Sequence, residues 1–181
     1  MGWKLTRFPR WINGSLKNLC RLLLVVAETS TEELRVLGEL PSLVDLTLRM
    51  IDKPYCRRRQ HRPVIAFCTG SFPALESLDI HYGDDATSLV RFEGPGVLPS
   101  LRRLALNLWS LDWGGGAPAG MEHLLKLRRI HLEEQYWEDD ESAYDSELVS
   151  FFRNYAAQVH PSRPSISTGC DTHNRRPLEE V

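Results

Sequence analysis

The chain of 181 residues carries 22 Lys plus Arg against 24 Asp plus Glu, a formal charge of −2, so bulk charge points to neither a polyanion binder nor an acidic tail protein. Hydrophobic residues at 42% and charged residues at 25% match the usual globular balance, which argues against a wholly disordered chain. The length suits one ordinary domain or a short repeat array rather than a large multidomain machine.

Met1 to Ile12 mixes charge, aromatic rings and proline, so it offers no apolar signal-peptide core. It also shows no capping helix, and Trp3, Trp11 and Ile12 are expected to face water where an earlier coil should stand. The longest apolar run, Leu22 to Ala27, has six residues, against the roughly 20 that cross a membrane as a helix. Thr31 to Gly38 opens with a capping residue, places acids in its first turn and ends on glycine, which predicts a short helix. A long insertion follows between Ile51 and Ser71, with a basic loop, Arg57-Arg58-Arg59-Gln60-His61-Arg62, and an apolar stretch, Val64-Ile65-Ala66-Phe67, expected to dock behind the sheet. Trp113-Gly114-Gly115-Gly116-Ala117-Pro118 is expected to be a flexible connection, and Glu138-Asp139-Asp140-Glu141 a solvated acidic segment. From Asp145, the residues Leu148, Val149, Phe152, Tyr155, Ala156 and Val159 keep helical spacing and predict a helix over 145–159, stopped by Pro161. Ser165-Ile166-Ser167 offers a last edge strand, and 168–181 is polar and expected to be disordered.

One phrase organises these elements. Leu40-Pro-Ser-Leu43-Val-Asp-Leu46-Thr-Leu48, Phe72-Pro-Ala-Leu75-Glu-Ser-Leu78-Asp-Ile80 and Leu98-Pro-Ser-Leu101-Arg-Arg-Leu104-Ala-Leu106 share the pattern apolar, Pro, then L-x-x-L-x-L. Copies without the proline start at Leu16 and Leu124, and the starts at 16, 40, 72, 98 and 124 lie 24, 32, 26 and 26 residues apart. Those intervals bracket the roughly 20–29 residues of a leucine-rich repeat, with one longer insertion. The phrase changes from period three to period two within six residues, which no helix explains: the last x-L-x-L is a strand and the earlier leucines belong to the turn feeding it. No coil buries these leucines alone, so coils stack and their strands pair in parallel. The expected fold is an α/β leucine-rich repeat solenoid of about five coils over 1–167. It has a short-stranded parallel sheet on the concave face, an irregular or helical convex side, and 145–159 as the C-terminal cap.

Phe8-Pro9-Arg10-Trp11-Ile12, Leu37-Gly38-Glu39-Leu40-Pro41-Ser42-Leu43, Phe72-Pro73-Ala74-Leu75-Glu76-Ser77-Leu78 and Ala156-Ala157-Gln158-Val159-His160-Pro161-Ser162-Arg163-Pro164 make the chain more specific. Together they resemble the C-terminal repeat region of plant nucleotide-binding leucine-rich repeat disease-resistance proteins, of the coiled-coil type found in grasses, over roughly residues 3 to 167. The resemblance implies a cytoplasmic role in defence, in which the repeats contact a pathogen effector or a modified host protein and restrain a nucleotide-binding domain in cis or in trans. The chain departs from that family in having no G-x-x-x-x-G-K-[ST] loop, and no glycine is followed by lysine. The Met-His-Asp phrase ahead of the family's repeats is absent too, so the chain reads as a repeat-region piece or a truncated relative. The Asn or Cys that many such repeats place after the strand is also missing, the positions being Ile51, Gly83, Trp109 and Gln135.

The outward strand residues form the candidate protein-binding strip: Asp45, Thr47 and Arg49; Ser77, Asp79 and His81; Arg103, Ala105, Asn107 and Trp109; Arg129, His131 and Glu133. Mixed charge with an aromatic suits recognition of a protein. No catalytic residue or cofactor is expected, because Ser71 lacks the G-x-S-x-G frame, Gly94-Pro95-Gly96 lacks a third dinucleotide glycine, and H-E-x-x-H does not occur. No metal site is expected from Cys56, His61 and Cys68, which lack a tight C-x₂₋₄-C pair. The four cysteines contain no C-x-x-C and fit a reduced, intracellular setting. Two alternatives stand beside recognition: an orphan repeat fragment without independent activity, and a phosphate or nucleic-acid contact through loop 57–62, which its lack of interleaved aromatics disfavours.

Overall fold

In each copy of the repeat phrase the period-two half becomes a strand, because alternating leucines can face one side of a pleated ribbon while the residues between them face the other. The computed structural model describes residues 4–5, 12, 14–26, 31–50, 65–81, 90–107, 115–133 and 145–169, with Lys4, Leu5, Met50, Asn107, Glu133, Asp145 and Ser146 defined by their backbone. The elements in chain order are β1 (Lys4–Leu5), β2 (Arg21–Val26), α1 (Thr31–Gly38), β3 (Asp45–Met50), β4 (Ile65–Cys68), β5 (Ser77–His81), β6 (Val90–Glu93), β7 (Arg103–Asn107), β8 (Arg129–Glu133), α2 (Asp145–Gln158) and β9 (Ser165–Thr168). A 3-10 turn over Met121–His123 precedes β8.

Seven strands form one parallel sheet in the order β1-β2-β3-β5-β7-β8-β9. The leucines align into rows: Leu22, Leu46, Leu78, Leu104, Ile130 and Ile166 are lateral neighbours, as are Leu24, Leu48, Ile80, Leu106 and Leu132. Leu43, Leu75, Leu101 and Leu127, from the feeding turns, are fully buried beneath them. A ladder at the strand starts holds the register. The carbonyl of Cys20 accepts the N–H groups of Val44 and Asp45, that of Val44 those of Glu76 and Ser77, that of Glu76 those of Arg102 and Arg103, and that of Arg102 those of Arg128 and Arg129, all at 2.8–3.0 Å. Phe72 (φ 55°) and Leu98 (φ 45°) hold left-handed backbone just before Pro73 and Pro99. The strain, about 1–2 kcal/mol per residue, is offset by complete burial of both side chains.

Across the core from the sheet runs a second, uneven layer. α1 packs beside β4, and β4 pairs in parallel with β6, so Phe67 stacks on Phe92 at 5.5 Å between ring centroids. β6 continues through a bridge from Arg91 to Ala119 and contacts the 3-10 turn. α2 closes the far end against β9. Gly38 ends α1 because of packing, since a β-carbon there would sit 2.5 Å from that of Ser71.

Several expectations need correction. The sheet gains an unexpected strand at its first end, where Lys4–Leu5 pairs with Val25–Val26, while the edge strand expected over Ser165–Ser167 is present as β9, paired with β8 and one residue longer. Thr168 therefore belongs to a strand, while 170–181 lie outside the described residues. Ile12 does not face water: it joins the core at 3% exposure, whereas Trp3 and Trp11 lie outside the described residues. Ile65–Cys68 lies behind the main sheet as expected but as a strand paired with β6, and Ala117 and Pro118 pack inward ahead of the Ala119 bridge, so that part of the glycine-rich connection is ordered by β6. Val159 is 60% exposed, since α2 stops at Gln158 and the next residue leaves the helical phase. Loop 57–62, the acidic run 138–141 and the four positions after the strands, 51, 83, 109 and 135, lie outside the described residues.

Candidate functional site

The outward side chains form three lateral rows because every strand starts in register. The first row is Arg21, Asp45, Ser77, Arg103, Arg129 and Ser165; the second is Leu23, Thr47, Asp79, Ala105, His131 and Ser167. The third is Val25, Arg49, His81, Asn107 and Glu133. Neighbours within a row are about 4.8 Å apart, the spacing of paired strands, so side chains from different coils touch. The predicted strip is thus brought together on one face, with three exceptions in detail. Trp109 lies outside the described residues. Asn107 and Glu133 are placed by backbone register alone. Ala105 is buried at 2%, because its single methyl sits between the longer Asp79 and His131 of its row.

Sequence reading overlooked the flanks of the strip. Arg21, Leu23 and Val25 of β2 and Ser165 and Ser167 of β9 extend the same rows, and the phrase beginning at Leu16 already carried the signal for the first three. Arg21 Nε lies 3.0 Å from Asp45 Oδ2, a cross-strand pair. His131 Nδ1 is 3.0 Å from the Ser167 hydroxyl. His81 Nε2 approaches Asp79 Oδ1 at 3.1 Å with both side chains mostly covered, an ion pair when the imidazole is protonated. Arg49 Nε and His131 Nε2 are buried atoms with no hydrogen-bond partner among the described residues. A buried polar atom left unmatched costs about 1–3 kcal/mol, so an acceptor or donor brought by a partner is favoured at those points.

The C-terminal end has its own polar fastening. His160, 2% exposed, donates from Nε2 to the Met121 carbonyl at 2.8 Å, and its Nδ1 faces the Ser162 hydroxyl at 3.0 Å. That hydroxyl donates to the Leu127 carbonyl at 2.6 Å, so the residues after α2 are tied to the 3-10 turn and to the start of β8. Burial lowers the His160 pKa, with the Met121 hydrogen bond and Glu122 opposing. Burial, helped by Glu122, pushes the neighbouring Tyr155 phenol up to about 12. A shallow cleft of about 440 Å³ lies between α2 and β9, lined by Arg153, Ala156, Ala157, Arg163, Pro164 and Ile166.

Cys68 sits at the end of β4 with its sulfur 3.8 Å from Glu93 Oε2. Burial, reinforced by the Glu93 charge, raises its pKa and keeps it a thiol at neutral pH, the opposite of an activated nucleophile. Cys56 and His61 lie outside the described residues, and among the described residues no group of three His, Cys, Asp or Glu could hold a metal ion. No helix among the described residues is long and apolar enough to cross a membrane. A family model described as a leucine-rich repeat region matches residues 1–166. No curated protein and no solved structure matches the chain.

Proposed function

The chain belongs to the leucine-rich repeat family, and we propose that it is a non-catalytic recognition module whose three outward rows contact a partner protein. The observation that carries this reading is the lateral alignment of polar side chains from successive coils on a sheet face whose opposite side is the core. Such a face offers an extended surface instead of a pocket, and the unmatched Arg49 Nε and His131 Nε2 give it directional groups. The coils form a solenoid in this reading. Strands repeat about every 4.8 Å whereas a return layer containing helices needs about 8–10 Å per helix, so stacking bends the array with the strip on the concave side. Residues 1–168 then act as one repeat domain capped by α2.

The motif resemblance extends the proposal to cytoplasmic plant defence, with a pathogen effector, a host protein or a nucleotide-binding domain in cis or in trans as the partner. No catalytic residue, cofactor or nucleic acid enters it. The test places a photo-crosslinking amino acid at Thr47 or Ser77 in the strip, or at Glu33 or Gln158 on the helices, in challenged grass leaf cells. Discrete protein adducts from the strip positions alone are expected. Adducts of equal yield from both faces, or none from the strip, refute the reading, and the latter leaves an orphan repeat fragment. An immunoblot for native size separates the two arrangements of the switch: a species several times 20.7 kDa puts it in the same chain, and one near 20.7 kDa puts it in trans.

A further inference from the structure

We infer that the starts of β7, β8 and β9 form a docking surface for a short, carboxylate-rich segment of the partner protein. This rests on the recognition reading and adds the partner's chemistry. Two arginine doublets, 26 residues apart in sequence, become neighbours in space. The ladder pairs Arg103 with Arg129, and the Arg102 carbonyl accepts the N–H groups of both Arg128 and Arg129. β9 continues the pattern, with the Ser165 N–H bonded to the Arg128 carbonyl and Arg163 two residues before it. Arg102, Arg128, Arg129 and Arg163 are exposed, and none makes an ion pair among the described residues. Like charges held side by side repel, and an incoming anion relieves that repulsion.

The surroundings select the kind of anion. The surface is three strand starts wide, about 10 Å at the spacing of paired strands. At the next start stands Glu76, and beyond it Asp45, which lies in the row of Arg103 and pairs with Arg21. A nucleic-acid backbone tracking along the sheet would leave the guanidinium groups and meet carboxylates. A peptide of a few residues fits within the zone, and each planar guanidinium fork matches a carboxylate. At its outer end the surface reaches the cleft between α2 and β9, where Arg153 and Arg163 flank a floor of Ala156, Ala157, Pro164 and Ile166. That floor accepts an apolar side chain lying between acidic ones, so the partner segment is acidic with interspersed aliphatic residues.

The test uses the full chain and a fluorescein-labelled nonapeptide, Glu-Glu-Leu-Glu-Asp-Leu-Glu-Glu-Leu, read by fluorescence anisotropy. Binding is expected to weaken several-fold from 50 to 200 mM salt, as screening shortens the reach of exposed charges. Arg128→Ala with Arg129→Ala should weaken it about five- to tenfold, with unchanged thermal unfolding confirming an intact fold. Removing two cations elsewhere, Lys17→Ala with Arg35→Ala, should change it less than about twofold. Equal loss from both double variants, no binding at 50 mM salt, or displacement of the peptide by a lower concentration of an RNA of equal charge overturns the inference. The two readings fail separately. Strip-specific crosslinks without peptide binding remove only the acidic-segment inference, whereas peptide binding without strip-specific crosslinks removes the recognition strip itself.

Discussion

Gly70 and Gly120 share one backbone torsion, φ 81°, yet alanine at the two positions should differ sharply in cost. Left-handed backbone penalises any β-carbon by about 1–2 kcal/mol, and that part is common to both. The unfolded-chain effect of replacing glycine is common as well and cancels in the comparison. Around Gly70 nothing lies within 4 Å of a built β-carbon, so the shared part is the whole loss. At Gly120 the new carbon collides with the backbone carbonyl of Phe92, which no side-chain rotation relieves. β6 must move, which strains the 2.8 Å bond from the Phe92 N–H to the Ala119 carbonyl, worth about 0.5–1.5 kcal/mol. It also disturbs the stack of Phe92 on Phe67, worth a further ~0.5–1.5 kcal/mol beyond area burial. Gly120→Ala should therefore lose about 1–3 kcal/mol more than Gly70→Ala, summing those two losses. For a chain of this size that is a Tm gap of about 2–12 °C. Urea unfolding followed by far-ultraviolet circular dichroism, with calorimetry for Tm, measures both variants. Losses equal within ~0.5 kcal/mol would refute the packing of Ala119 and Gly120 against β6, since that is the size at which independent sites cease to differ.

Two further outcomes follow from the packing. Leu104→Ala removes a fully buried side chain between Leu78 and Ile130 in the middle of the sheet, and should cost about 3–5 kcal/mol in urea unfolding. A loss under ~1 kcal/mol would mean the leucine rows do not form the core. His160 predicts a pH dependence. Its folded pKa is lowered, so below about 6.5 the unfolded chain takes up the proton first, and stability present above that value falls as pH drops toward the folded pKa. His160→Gln can still donate to the Met121 carbonyl but does not titrate. The wild-type stability should therefore approach or fall below that of the variant only on the acid side, and parallel curves from pH 7.5 to 5 would contradict the assignment.

The main sheet was legible because the repeat phrase states both its period and its spacing: five copies of L-x-x-L-x-L become β2, β3, β5, β7 and β8. The elements that escaped notice lack that phrase. β1 has two residues, too few to show any alternation, whereas β9 was readable without the phrase, as the edge strand expected over Ser165–Ser167. β6 was readable in principle, since Val90 and Phe92 alternate with Arg91 and Glu93, but it lies inside a return segment where no strand was sought. Its partner β4 is buried at three successive residues, which hides the period that marks a half-exposed strand. For the candidate site, alternation correctly sorted outward from inward residues. It could not show that Arg21 meets Asp45 or that the doublets at 102–103 and 128–129 lie side by side, because those contacts arise from pairing between coils. Ala105 shows the same limit: its parity is outward, and its burial comes from neighbours on other strands.

The register of the sheet does not depend on how much chain separates its strands. Arg21 and Asp45 are 24 residues apart, Asp45 and Ser77 are 32, and Arg129 and Ser165 are 36, yet each pair begins its strands level. Lengthening a return from 24 to 36 residues costs only ~0.4 kcal/mol of closure entropy, so the ladder at the strand starts easily overrides it. Insertions and point substitutions therefore act on separable parts of the molecule. The outward rows can change one residue at a time, altering what is bound, while the returns gain or lose whole segments without shifting any row against the next.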